Sequence, residues 1–346
     1  MIKKFAVGIG IAGVMLPALA NDGIAGVSAG GIVFGKTEAI AMKKEVLNVS
    51  HQQISVDYEF LNESAQDVEE TIVFPLPAYP VMSLPYDSYY GQPSGFSIRV
   101  DGQPVSFTTR LVALHKSKDV TLELKKIGLS ELQMAYNPHF AHSEKPVAES
   151  SVPPLTPAQE QKLTKAGLIG QHDDGERGPL WQVQVNYVWK QRFPVNKVVR
   201  VHHAYRPFTD GGPGATYIDG DFAKTYCADK DFFGAYNKLK NRLGEGAIAV
   251  QKVGYILKTG NTWKRGIEDF TLNVIKGTPD ELVSLCFPGT FKKIDSRTYQ
   301  VRLRNFQPVD DLQVYFGNIS SGSGMNTGVM PVLGKTAVPS TNGTTR

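Results

Sequence analysis

Trp181-Gln182-Val183-Gln184-Val185-Asn186-Tyr187-Val188-Trp189 is the stretch that decides the fold class. Trp181, Val183, Val185, Tyr187 and Trp189 recur at every second position, opposite Gln182, Gln184 and Asn186. A period of two is that of a β-strand, whose successive side chains point to opposite faces. Aromatic and β-branched residues also suit its pleated surface. The run therefore predicts a strand in a sheet packed on one side.

Working outward, Val198 to Tyr205 reads as a second strand, and further strand candidates follow at 250–258, 270–275, 282–287, 299–303 and 312–316. Upstream, Ile54, Val56, Tyr58 and Phe60 alternate with Ser55, Asp57 and Glu59. Phe96, Ile98 and Val100 alternate again and end in Asp101-Gly102, a two-residue hairpin signal ahead of Val105 and Phe107. Between the strand-rich blocks, 120–134 and 156–168 have helical spacing, and Thr156-Pro157 reads as an N-cap with proline at the first helical position. A further helix is expected over 229–243, with Phe232, Phe233, Tyr236 and Leu239 near one face. The pattern predicts a mainly β chain of two immunoglobulin-like β-sandwich domains with a partly helical connector. The expected segments are 21–115, a first β-sandwich; 116–178, the connector; 179–317, a β-rich domain with one helix; and 318–346, a flexible Gly-, Ser- and Thr-rich tail.

The first twenty residues read as a cleavable secretory signal. Lys3 and Lys4 precede an apolar run from Phe5 to Leu16, and Ala18-Leu19-Ala20 supplies the small-x-small pattern of a cleavage site. A bilayer-spanning helix needs about 20 apolar residues, more than this run holds. The expected location is the periplasm, with secretion as the alternative. Hydrophobic residues make up 41% of the chain and charged ones 20%, enough apolar content for a sizeable core. The formal charge is +4 and includes Lys3 and Lys4, too near neutral to argue for a nucleic-acid partner. In an oxidising compartment, Cys227 and Cys286, the two cysteines of the chain, are expected to form a disulfide.

Several blocks recur in an order that resembles a known family. They are Gly30-Gly31-Ile32-Val33; Ile40-Ala41-Met42 with Glu45, Leu47 and Val49; and Val56, Tyr58, Phe60 and Asn62 leading to Phe74-Pro75-Leu76-Pro77. Tyr187-x-Trp189-x-Gln191-x-Phe193-Pro194 and His203-x-Tyr205-x-Pro207 complete the series. Together they resemble the exported bacterial family catalogued as domain of unknown function 4424. The resemblance implies a Gram-negative exported protein with immunoglobulin-like β structure, and it implies no reaction.

Motifs for chemistry are few. His203 and Tyr205 lie two apart in one strand and so share a face, where they would form an acid/base or ligand pair or else pack in the core. Asp219-Gly220-Asp221 lacks the further oxygen ligands of a calcium loop, so no metal site is assigned. No metalloprotease, phosphate-cradling or dinucleotide-binding motif occurs, and no cofactor is expected. The most site-like feature is the loop from Pro75 to Pro93, where Tyr86, Tyr89 and Tyr90 interleave with stiffening prolines. The expected function is a binding or scaffolding module for an envelope protein or glycan. A cell-envelope hydrolase assembled around His203 is the alternative.

Overall fold

The computed structural model describes residues 23–28, 31–81, 96–135, 152–172, 175–212, 221–244 and 247–319. Three sheets carry most of the architecture. The largest, eight-stranded, runs in the order Lys292–Lys293, Thr298–Phe306, Ile267–Ile275, Ile40–Val49, Ile54–Asn62, Val198–Tyr205, Phe96–Val100, Gln103–Pro104. Its neighbours are antiparallel except for the parallel pair formed by Ile267–Ile275 and Ile40–Val49. A seven-stranded sheet runs Lys118–Asp119, Thr108–His115, Gln182–Phe193, Val68–Pro75, Gly23–Ser28, Gly31–Phe34, with Tyr79–Pro80 also on Gln182–Phe193. The third sheet, four-stranded, runs Thr209–Gly212, Val250–Tyr255, Leu312–Gly317, Leu282–Leu285.

The two large sheets pack face to face on one contiguous core. From the seven-stranded sheet, Phe74, Tyr187 and Trp189 point inward; from the other come Tyr58, Phe60, Phe96 and Phe270. Phe96 stacks on Tyr187 with ring centroids 3.9 Å apart, and Phe60 meets Phe193 edge-on at 5.8 Å. Aromatic rings bury large apolar areas and favour such stacked and edge-on pairs, which tie the two layers together.

Gln182–Phe193 differs from expectation in one respect. Gln184, Asn186 and Val188, on its second face, are buried as well. A small apolar cluster covers this outer side, where Val188 meets Ala25 and Val73 under Ile32 and Phe34. Helices Thr121–Ile127 and Glu131–Ala135 pack beside it on Thr108–His115. Trp181 donates its Nε1–H to the Met134 carbonyl at 2.9 Å, and the Tyr79 hydroxyl donates to Ala135 at 3.2 Å. The polar tips of two core aromatics are thus satisfied by the end of a helix.

Local signals account for several elements directly. Asp101 and Gly102 both have positive φ, 47° and 81°, which is the backbone a tight hairpin between Val100 and Gln103 requires. Helix Pro157–Lys165 starts at Thr156 with a full capping box, the Thr156 and Gln159 side chains each bonding the other's backbone N–H.

The segments 21–115 and 179–317 do not each own a sheet. Gln182–Phe193 lies between Thr108–His115 and Val68–Pro75, and Val198–Tyr205 lies between Ile54–Asn62 and Phe96–Val100. Ile267–Ile275 pairs with Ile40–Val49 in the same way. A second, smaller core forms where helices Phe222–Tyr226 and Lys230–Leu243 cover the four-stranded sheet, around Phe222, Phe232, Tyr236 and Tyr315. Cys227 and Cys286 are bonded to each other and close a loop of 59 positions.

Candidate functional site

His203 and Tyr205 do point to the same face, and that face is the core. His203 is 0% exposed. Its ring lies 5.2–5.6 Å from those of Tyr58, Phe74, Phe96 and Trp189. Tyr205 packs against Phe74 and Phe96, and burial, with Tyr187 nearby, pushes its hydroxyl well above the usual phenol range. Tyr86, Tyr89 and Tyr90 lie outside the described residues.

The neighbouring residue behaves oppositely. His202 faces outward on the eight-stranded sheet, as do Arg200 and Ala204 on the same strand. Strand pairing sets these side chains in rows across the sheet. One row runs Ser97, Ala204, Ser55, Asn48, Asn273, Gln300. Within it Asn48 donates to Ser55 at 3.2 Å, Asn273 to Asn48 at 2.7 Å and Gln300 to Asn273 at 2.9 Å, an amide ladder over four strands. The next row runs Arg99, His202, Asp57, Val46, Thr271, Arg302, and beside it Arg200 opposes Glu59, which opposes Lys44. The five α-helices of the described residues make their main contacts elsewhere, with the seven-, four- and two-stranded sheets and with one another.

Charged side chains gather at one end of this face around a cleft of about 310 Å³, lined by Lys44, Asp57, Glu59, Arg99, Arg200 and His202 among others. His202 donates from Nδ1 to Asp57 Oδ1 at 2.7 Å, and Arg200 Nε lies 3.5 Å from Glu59. Arg99 donates to the Gly102 carbonyl at 3.3 Å, in the hairpin turn that forms one wall. On the strand next to that of Lys44, Asp269 accepts from Arg302, which, with Arg304 and Lys44 adding to the effect, holds its carboxyl below the usual carboxylate range.

Sequence reasoning chose His203 and passed over His202. The alternation that set Asp57 and Glu59 opposite Val56 and Tyr58 already marked them as outward. What one strand cannot show is that Lys44, Asp57, Arg99 and His202 come from four different strands and converge.

A larger cavity of about 560 Å³ lies beside the disulfide, lined by Phe287, Phe306 and Val309 with Asp310 and Asp311. Asp311 is engaged there in structure, accepting from the Leu257 and Lys258 backbone N–H groups at 3.0 and 3.3 Å. Among the described residues no three His, Cys, Asp or Glu side chains are grouped to hold a metal ion. No helix of the described residues is long and apolar enough to cross a membrane.

No curated protein matches the chain. Among solved structures it is similar to a crystal structure described as a "putative nutrient binding protein" from Legionella pneumophila. That match has 17% identity and a TM-score of 0.39, covering 81% of this chain and 68% of the other. It is also similar to an M1 zinc metallopeptidase of Deinococcus radiodurans, with 9% identity and a TM-score of 0.25, over 81% of this chain and 42% of that one. Native yeast LTA4 hydrolase matches at 10% identity and a TM-score of 0.25, over 82% and 29%. The chain thus spans less than half the length of either of these two proteins. The profile of one family covers residues 20–315, and the chain belongs to that family, described as Domain of unknown function (DUF4424).

Proposed function

We propose that the chain is an exported, periplasmic binding module that engages a hydrated envelope glycan through the outer face of its eight-stranded sheet. The observation that carries the reading is the row of Ser97, Ala204, Ser55, Asn48, Asn273 and Gln300, small or amide side chains with no large apolar group among them. Protein interfaces centre on aromatic and aliphatic anchors, which this row lacks, whereas its hydroxyl and amide groups can exchange hydrogen bonds with a hydroxyl-rich polymer. The Cys227–Cys286 bond and the secretory reading of the first twenty residues support a location outside the cytoplasm. The burial of His203 favours the binding reading over the hydrolase alternative.

Co-sedimentation of the mature chain with insoluble envelope glycan tests the reading. Retention is expected, with the polymer left uncut. Ala204→Arg, which sets a long side chain on the face, should abolish retention, and Lys190→Glu on the other large sheet should not. Retention that survives Ala204→Arg, or shortening of the polymer, would overturn it.

A further inference from the structure

The cleft at the charged end of the sheet face holds three cations whose hydrogen-bonding capacity is only partly used within the described residues. A guanidinium carries five N–H donors in a fixed fork. Arg99 commits one of its own to the Gly102 carbonyl, at 3.3 Å. Arg200 approaches Glu59 with Nε at 3.5 Å, and no hydrogen bond from its η nitrogens is made within the described residues. Lys44 makes no ion pair within 4 Å among the described residues, although its charge acts on Asp269, and it stands directly across from Glu59 in the strand register. The two carboxylates of the cleft are already occupied, Glu59 facing Arg200 and Asp57 accepting from His202 Nδ1 at 2.7 Å. The surplus in the cleft is therefore donors and positive charge.

Position favours one ligand between these donors. Arg99 stands directly opposite His202, and Arg200 is two residues away on the same strand and same face as His202. Neighbouring residues on a sheet face lie within reach of one planar or tetrahedral group. Paired arginine forks match the geometry of carboxylate and phosphate oxygens. The cleft is lined by Gly102 of the hairpin turn and by residues of the strands themselves, so the donors sit on rigid elements.

We propose that this cleft is an oxyanion site, which takes a carboxylate or phosphate group borne on a sugar, with Arg99 and Arg200 as the ligating forks and Lys44 as the flanking charge. The proposal rests on the reading of the sheet face as a glycan-binding surface and names the chemistry of the unit bound at its end.

Titration of the full mature chain with glucuronate, glucose 6-phosphate and glucose, followed by calorimetry, tests it. At least one of the two anionic sugars should saturate, and glucose should not. Whichever anion binds more tightly identifies the source of the oxyanion. Arg99→Gln and Arg200→Gln should each weaken binding by about tenfold or more, and raised salt should weaken it further. Arg99→Lys, which keeps the charge and loses the fork, should fall between parent and Arg99→Gln. Melting temperatures of the variants should match the parent, because both side chains point to solvent. Saturation by neither anion, or unchanged affinity in the double variant, would overturn the site. If the anions bind through the arginines while Ala204→Arg leaves glycan sedimentation intact, the sheet-face reading fails alone. If glycan sedimentation needs the face and neither anion binds, the oxyanion site fails alone.

Discussion

His51 is buried in the turn after Ile40–Val49, where its Nδ1 lies 3.0 Å from Gln251 Oε1 and its Nε2 donates to Glu281 Oε1 at 3.2 Å. The other carboxylate oxygen accepts the Gly277 N–H at 2.7 Å. A Cβ built on Gly277 would stand 2.6 Å from Glu281 Oε1 and 3.2 Å from His51 Nε2, so the glycine is there for space. Removing His51 leaves the buried Glu281 side chain without one of its hydrogen-bond partners, and His51→Ala should cost about 3 kcal/mol in denaturant unfolding. Gly277→Ala should cost about 2 kcal/mol by overpacking. Parent-like stability in either variant would contradict this account. On the surface, Glu63 accepts two hydrogen bonds from Arg265, which draw its carboxyl down from 4.5 to about 2. Since the folded value lies below the unfolded one, its contribution is complete above about 4.5 and fades as pH falls toward about 2. Glu63→Gln should therefore be less stable than the parent at neutral pH, by no more than about 1 kcal/mol for so exposed a pair. The gap should close across that acid window; a gap independent of pH would refute the assignment. At this scale the sequence was more informative than its use. Val199, Val201 and Tyr205 share the parity of His203, so alternation alone placed His203 inward and His202 outward.

Elements were legible where the signal is local. Helix Lys230–Leu243 buries Phe232, Tyr236 and Leu239, spaced four and three apart, and its first turn is capped by Asp229, which accepts the Phe232 N–H at 2.8 Å. Asp229→Ala should lower stability by about 1 kcal/mol, read by thermal unfolding, and no change would show the cap to be idle. Cys227 sits in the turn between two helices and Cys286 just beyond strand Leu282–Leu285, so the bond staples helix to sheet. Closing 59 positions should be worth about 4 kcal/mol in the chain-entropy account, and replacing both cysteines by alanine should lose about that much. Elements were harder to read where phase is broken. Ile40–Val49 carries a bulge between Met42 and Lys44, which shifts the alternation and buries Glu45. Thr108–His115 ends where composition changes, and its place beside Gln182–Phe193 is set by pairing across some seventy positions (Val112 with Gln184) that no local pattern encodes.

Pairing over such distances governs the whole molecule. The strand-rich blocks before 115 and after 179 each look self-sufficient in hydrophobic pattern, which is why the sequence reads as two sandwiches. Pattern reports which face of a strand is apolar and is silent about which strand lies alongside. In the structure, Tyr187 stands between Phe74 and Thr109, and His203 between Val56 and Ile98. Remove residues after 115 and two gaps open, one in each large sheet, at the positions of Gln182–Phe193 and Val198–Tyr205. Each gap leaves two strand edges with backbone N–H and C=O groups without partners and exposes inner-face aromatics such as Phe74 and Phe96. Residues 21–115 alone should therefore show no cooperative thermal transition and should aggregate, since a domain of that size has little stability in reserve. Co-expression with residues 116–346 should restore a soluble complex, because the missing strands supply both the ladders and the core. A dispersed amide spectrum and a cooperative melt from residues 21–115 alone would show that the first block folds by itself, and that the interleaving arises only when the rest of the chain docks onto it.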